Sequence, residues 1–123
     1  MLRDAAPIAL VTTTDPERAR AFYEGALGLT FVADEPFALV FDLAGTMLRI
    51  AKSDSLTPQP FAVLGWRVPD VERAVRALSA GGVAFERYAG LEQDEMGVWD
   101  SPSGGRIAWF RDPDGNVLSL TQL

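Results

Sequence analysis

The side chains that most often take part in catalysis are missing from this chain, and their absence excludes several catalytic mechanisms. The sequence contains no cysteine and no histidine. Without cysteine there is no thiolate nucleophile or thiolate metal ligand, and without histidine the commonest general base is lost. Both Ser-His-Asp and Cys-His catalysis are therefore excluded. Carboxylates, arginines, hydroxyls and tryptophans remain, and no adjacent acid–base pair stands out among them.

Length and composition indicate one acidic globular domain. The chain has 123 residues, of which 48% are hydrophobic and 23% are charged, a balance that supports a packed core without disulfides. The formal net charge of −6 does not suit a phosphate backbone, so nucleic acid is not an expected partner. No apolar run reaches the ~20 residues of a membrane span, and residues 1–4 lack a signal-peptide pattern. We therefore expect a cytoplasmic location and no membrane partner.

The sequence contains two related halves. Three segments of the first half return in the second: 15–19 as 70–74, 28–31 as 82–85, and 45–50 as 115–120. Internal similarity of this kind indicates a repeated structural unit. We predict a single domain of two repeats, at about 5–57 and 60–123, joined by the proline-containing linker 58–60.

Each half is predicted to run from a strand into a helix and then into further strands. Asp15 and Asp70 are good helix N-caps, and the first helix places Tyr23 on its apolar face with the hydroxyl at the rim. The glycines at 81–82 end the second helix. Strands are predicted at 7–12, 31–33, 37–42, 46–51, 61–68, 83–88, 96–100, 106–111 and 117–121.

Three segments of the chain resemble the vicinal oxygen chelate superfamily. They are AFYEGALGL at 21–29, VPDVERA at 68–74 and FRDPDGN at 110–116. The superfamily includes glyoxalase I, bleomycin resistance proteins, fosfomycin resistance proteins and extradiol dioxygenases. The resemblance spans nearly the whole chain and implies an α+β fold. In that fold two βαβββ repeats form paired half-barrels around a central cleft, with the helices outside. The resemblance also implies that this chain forms a homodimer.

The resemblance also implies where a divalent metal would be bound. Enzymes of the superfamily usually hold the metal through His, Glu or Gln at four positions that face the cleft. These positions map onto Ile8, Arg49, Val63 and Ser119. Two hydrocarbons, a cation and a hydroxyl cannot supply the ligands that a divalent ion requires. We therefore expect no metal cofactor, and no metal-dependent glyoxalase, dioxygenase or fosfomycin transferase activity.

Strand alternation extends the four mapped positions into a predicted ligand-binding face. The opposite faces of the strands, which include Trp66 and Leu118, are predicted to form the core. Two further tryptophans are candidates for contact with a planar ligand. The predicted ligand-binding residues are Ile8, Leu10, Met47, Arg49, Val63, Arg67, Trp99, Trp109 and Ser119.

The polar and aromatic candidates each have two interpretations. Arg49 is either a clamp for a carboxylate or phosphate, or the partner of an acidic side chain in an internal ion pair. Arg67 has the same two interpretations, or simply reaches solvent at the end of its strand. Trp99 and Trp109 either stack on a planar or cationic ligand, or serve packing or a dimer contact.

Three functions therefore remain open. The first is a metal-independent small-molecule-binding protein of the glyoxalase/bleomycin resistance type, with its ligand in the cleft between the repeats. That ligand would be anionic if Arg49 acts as a clamp. The second is a metal-free lyase or isomerase that uses Arg49 to orient a small carboxylated or otherwise anionic substrate. The third is a structural or regulatory module with a vestigial cleft. The sequence identifies no catalytic residue for any of them.

Overall fold

Each half of the chain folds into a four-stranded sheet with its own helix. The computed structural model describes residues 1–123, which divide into two units, Met1–Thr57 and Pro58–Leu123. Each unit contains one helix and four strands in the order βαβββ, which confirms the predicted α+β class and the repeat. Neither helix has the length and apolar character needed to cross a bilayer.

The sheet of the first unit combines one parallel and two antiparallel pairings. The elements are β1 (Ile8–Thr13), α1 (Pro16–Arg20), a π-helical segment (Ala21–Ala26), β2 (Thr30–Asp34), β3 (Ala38–Leu43) and β4 (Thr46–Lys52). The strands lie in the order β1-β4-β3-β2, with β1 parallel to β4. A bulge at Val32 interrupts the pairing of β2 with β3. It changes which side chains of β2 face each side of the sheet.

The first helix begins as predicted but widens halfway along. The Asp15 carboxylate accepts a hydrogen bond from the Arg18 amide (3.2 Å), so Asp15 is the N-cap. After α1 the backbone becomes π-helical, and the Leu27 amide donates to the Phe22 carbonyl five residues earlier (2.9 Å). Tyr23 is completely buried, with its ring centroid 6.1 Å from that of Phe41. The prediction of a hydroxyl at the rim was therefore wrong, because the whole side chain is enclosed in the core.

The second unit repeats this arrangement with a much longer connection after its helix. Its elements are β5 (Ala62–Arg67), α2 (Val71–Ala80), β6 (Trp99–Asp100), β7 (Arg106–Arg111) and β8 (Val117–Gln122). The strands lie in the order β5-β8-β7-β6, with β5 parallel to β8. The helix α2 packs against β7 and β8 and buries Val71 and Val75.

The segment 83–98 contradicts two of the predicted strands. Residues 83–88 are not a strand, and of the strand predicted at 96–100 only Trp99–Asp100 forms. The segment pairs with the sheet only through two isolated bridges, Phe85 with Phe110 and Gln93 with Trp99. The apolar residues alternate here because Val83 and Phe85 point toward the core. No neighbouring strand continues the backbone pairing, so a strand does not form.

The side chain of Gln93 takes the place of the missing strand partner. Its carbonyl oxygen accepts a hydrogen bond from the Tyr88 amide (2.7 Å). Its amide nitrogen donates to the carbonyls of Glu86 (2.9 Å) and Gly97 (2.8 Å). Buried backbone groups require partners, and here one side chain supplies three of them. The hydrophobic pattern of the sequence contains no signal for such a substitution.

Two-residue alternation divides each sheet into a covered face and an open face, as predicted. In the first unit Leu48 and Ile50 are fully buried, whereas Ile8 and Leu10 are 52% and 67% exposed. In the second unit Leu118 and Leu120 are buried, and Trp66 stacks on Phe110 with 6.4 Å between ring centroids. Three open-face positions are exceptions. Val117 is buried at the start of β8 beside the buried turn residue Asn116, and Ala38 and Val40 are buried on β3 although they pair with Ala51 and Arg49.

Replacing Gln93 by alanine is expected to destabilise the second unit. The Q93A variant leaves three backbone groups without partners, so we expect the free energy of unfolding to fall by about 1–3 kcal/mol. Urea unfolding followed by tryptophan fluorescence measures this loss. The matched control is Gln59→Ala, since Gln59 is exposed and its side chain forms no hydrogen bond. Equal stabilities of the two variants would contradict the role given to Gln93.

Candidate functional site

The open face of the first sheet carries four of the predicted ligand-binding residues on two adjacent rungs. The strand register places Ile8 beside Met47 and Leu10 beside Arg49. Side chains of paired residues project to the same side of a sheet. The result is an exposed hydrocarbon surface that contains one guanidinium group.

That guanidinium group is already engaged by a carboxylate. Nη1 of Arg49 lies 3.0 Å from Oε1 of Glu35, and the two side chains are 34% and 46% exposed. This geometry corresponds to the second interpretation of Arg49, an internal ion pair. A pair with this exposure contributes little stability, about 0–1 kcal/mol. Its importance is therefore that it places a carboxylate and a guanidinium together on an open face.

Glu35 is not among the predicted site residues, because it lies in the turn between the strands predicted at 31–33 and 37–42. The bulge at Val32 places Ala33 opposite Val40 on the open face, and Glu35 follows two residues later on the same side. The Glu35 amide donates to the Ala38 carbonyl (2.9 Å) and holds the turn closed. Only the bulge at Val32 brings the Glu35 carboxylate to Arg49, and no pattern in the sequence predicts that bulge.

In the second unit Gly65, Ser119 and Trp109 lie side by side on β5, β8 and β7. A Cβ atom added at Gly65 would lie 2.5 Å from Oγ of Ser119 and 3.3 Å from its carbonyl oxygen. Glycine is therefore the residue that fits beside Ser119. Because Gly65 and Ser119 are both small, they leave a shallow depression in the open face. Val63, a predicted site residue, lies within the register shift between Ala62 and Leu64 and is 38% exposed.

The neighbouring row on the same face runs across all four strands. Arg67 is the partner of Thr121, Thr121 of Ile107, and Ile107 of Trp99. Arg67 is exposed and forms no ion pair or hydrogen bond. The predicted residues Arg67, Trp99, Trp109 and Ser119 therefore share one face of one sheet.

Three aromatic rings form a cluster at the end of this face. The ring of Trp109 lies 6.1 Å from that of Trp99, tilted by 37°, and 5.5 Å from that of Tyr88, nearly perpendicular to it. All three side chains are half-buried. Tyr88 has this place because Gln93 holds its backbone. We call Tyr88, Trp99 and Trp109 the aromatic cluster.

An ion pair lies next to the aromatic cluster. The guanidinium of Arg111 donates a hydrogen bond to the Glu86 carboxylate and another to the Gly115 carbonyl (2.9 Å). Burial raises the pKa of the Tyr88 phenol above its ordinary value of 10.0, the Glu86 carboxylate raises this pKa further, and Arg111 opposes the change. Tyr88 is therefore a neutral phenol at physiological pH, able to donate a hydrogen bond but not to act as a base.

The residues at the four mapped metal positions do not fit a divalent ion. Ile8 and Val63 have no donor atom, and Arg49 is a cation that already holds a carboxylate. The structure contains no group of three or more His, Cys, Asp or Glu side chains placed to hold a metal. Glu35, the carboxylate nearest the mapped set, is committed to Arg49.

The fold and these motifs define a known class of protein. The chain belongs to the Glyoxalase/Bleomycin resistance protein/Dioxygenase superfamily, whose family model matches residues 6–120. No curated protein sequence matches the chain.

Solved structures similar to this chain include a member of the same superfamily. TnmS3, an antibiotic binding protein from Streptomyces sp. CB03234, is 29% identical, with a TM-score of 0.75 over 99% of this chain and 98% of that one. A superfamily member from Sphaerobacter thermophilus DSM 20745 is 25% identical, with a TM-score of 0.75 and complete coverage of both chains. A lactoylglutathione lyase from Agrobacterium tumefaciens shares the fold at 20% identity, with a TM-score of 0.74 over 97% of this chain and 93% of that one.

The titration of Tyr88 tests the electrostatics of the aromatic cluster. We expect the Tyr88 phenol to titrate above pH 10, and Glu86→Gln to lower its pKa because a negative charge is removed beside it. Carbon-13 tyrosine NMR measures both values, with Tyr88→Phe assigning the signal. Since the folded-state pKa is the higher one, this contribution to stability is present below pH 10 and is lost as the pH rises through the folded pKa. A midpoint at or below 10 in the unmodified protein would contradict the described environment.

Proposed function

We propose that this protein binds a small molecule without a metal ion, in the cleft that the superfamily fold forms between its two repeats. The observation that carries the proposal is the composition of the open faces. They combine exposed hydrocarbon, two arginines, hydroxyl groups and the half-buried aromatic cluster. Binding sites for small molecules typically have this mixture of apolar walls and a few directed polar groups.

Metal independence is supported by the donor atoms themselves. Of the four mapped residues only Ser119 has an oxygen in its side chain, and one neutral hydroxyl does not hold a divalent cation. Membership of the superfamily does not decide between binding and catalysis, because function depends on the site rather than on the fold. The similarity to an antibiotic binding protein favours binding.

The Arg49–Glu35 ion pair favours one alternative, a metal-free lyase or isomerase. A guanidinium group binds a substrate carboxylate well, and a carboxylate beside it is positioned to move a proton. The contact of 3.0 Å brings both groups to the same part of the open face. The substrate in this alternative is a small carboxylated or otherwise anionic molecule. Under it, Glu35→Gln abolishes turnover and leaves substrate binding intact.

The proposal also includes a homodimer in the cytoplasm. Large exposed apolar side chains in each unit support self-association, since Phe37 in the first unit and Phe61 in the second are 81% and 60% exposed. A partner copy that covers these residues would remove apolar area from water, which favours association.

Native mass spectrometry of the protein purified from cells without added metal tests the proposed function. We expect a metal-free protein that carries a bound organic molecule, or an empty protein that a compound from a small-molecule library stabilises against heat. Excess EDTA should leave that stabilisation unchanged. Stoichiometric divalent metal in the native spectrum would contradict metal independence. The absence of any bound or stabilising compound would contradict the binding function.

A further inference from the structure

Among the arginines on the open faces and beside the aromatic cluster, Arg67 differs in having no partner. Arg49 is held by Glu35, and Arg111 by Glu86. Arg67 is exposed and forms no ion pair or hydrogen bond, although the chain carries 17 acidic residues. An anion that binds Arg67 therefore has no internal carboxylate to displace, whereas one that binds Arg49 must compete with Glu35.

The residues between Arg67 and Trp109 leave room for a flat group. Thr121 and Ser119 stand on the central strand β8 with short side chains, and Gly65 has none. At a strand spacing of about 4.8 Å, the row from β5 to β6 covers roughly 14 Å between its outermost Cα atoms. Ile107 stands between Thr121 and Trp99, so a planar molecule lies across β8 from Arg67 and reaches the aromatic cluster at Trp109. Large side chains on β8 would have prevented it.

The tryptophan rings of the aromatic cluster lie outside the core of the second unit. The core of the second unit has its own stack, formed by Trp66 and Phe110 on the covered face. Trp99 and Trp109 contact each other on the opposite face and remain half-buried. Half-exposed tryptophan rings beside a polar rim mark a surface on which another planar group gains contact area.

The charges of this face favour an anion over a cation. Tryptophan rings attract cations as well as planar groups, but a cation here would meet the unpaired Arg67. The Glu86 carboxylate, which acts on Tyr88, is paired with Arg111. Tyr88 adds a neutral phenol rather than a negative charge, since a tyrosine with the ordinary pKa of 10.0 is neutral at physiological pH and the pKa of this one is raised further.

We propose that the ligand is a planar aromatic carboxylate whose rings stack on Trp109 and Trp99 and whose carboxylate is bound by Arg67. The hydroxyl groups of Thr121 and Ser119 are placed to donate to the same carboxylate. A guanidinium group offers two parallel donors that match the two oxygens of a carboxylate. This inference rests on the proposed binding function and specifies the chemical class of its ligand.

Three matched probes test the inference by isothermal titration calorimetry. Naphthalene-2-carboxylate has both features, naphthalene-2-carboxamide lacks the charge, and decalin-2-carboxylate lacks the aromatic rings. We expect the first probe to bind at least about tenfold more tightly than either of the others, since each comparison removes one principal interaction. Quenching of tryptophan fluorescence gives an independent reading of the stacking.

Two variants assign the two interactions to their residues. Arg67→Gln is expected to remove the preference for the carboxylate over the carboxamide. Trp109→Leu is expected to weaken both aromatic probes by roughly tenfold or more. Arg73→Gln on α2 makes the same change of charge away from this face and is expected to change nothing. Thermal unfolding checks that each variant is folded, and Arg67→Gln removes no ion pair and no side-chain hydrogen bond.

The outcomes separate this inference from the function on which it rests. Equal binding of the carboxylate and the carboxamide overturns the inference, as does a preference that Arg49→Gln removes and Arg67→Gln leaves intact. If native mass spectrometry or the library finds a ligand and none of the naphthalene probes binds, the inference fails and the binding function stands. If no compound binds in either experiment, both fail.

Discussion

Burial of one face of each sheet beneath its helix is the constraint on which the rest of the structure depends. In the first unit the ring of Tyr23 packs against Phe41, and in the second unit Val71 and Val75 of α2 are buried over β7 and β8. Each fully buried side chain of this kind contributes about 1.5–3 kcal/mol. Because strand side chains alternate between the two faces of a sheet, every second residue of a strand is buried in this core. Only the residues between them are available for function.

The two repeats use the same open face for different chemistry. Arg49 lies between Leu10 and Val40 in the first sheet, and Ser119 lies between Gly65 and Trp109 in the second, at the corresponding position. In the first unit the position holds a charge that Glu35 neutralises. In the second it holds a small hydroxyl beside a tryptophan, with an unpaired arginine one row away. The two repeats thus present an apolar face with one ion pair and an aromatic face on a common framework.

Most of the fold could be predicted from the sequence because its signals are local. The capping residue Asp15, the repeat and the alternation of the strands each depend on near neighbours in the chain. The failures have a different cause, since each depends on an interruption of regular strand pairing that hydrophobic alternation does not reveal. Gln93 replaces a strand at 83–88, and a bulge at Val32 brings Glu35 to Arg49. Strand alternation predicts the face on which each site residue lies. It does not predict the ion-pair partner of Arg49, because Glu35 lies in a turn.

The central claim is that ligands bind on the open faces and leave the covered faces undisturbed. Tryptophan indole signals in a nitrogen-15 correlation spectrum test it directly, because the chain has three tryptophans. Trp99 and Trp109 lie on the open face of the second sheet, and Trp66 stacks on Phe110 on the covered face. On addition of a ligand that stabilises the protein, we expect the signals of Trp99 and Trp109 to move and that of Trp66 to remain in place. Movement of the Trp66 signal alone, or of none of the three, would contradict the account.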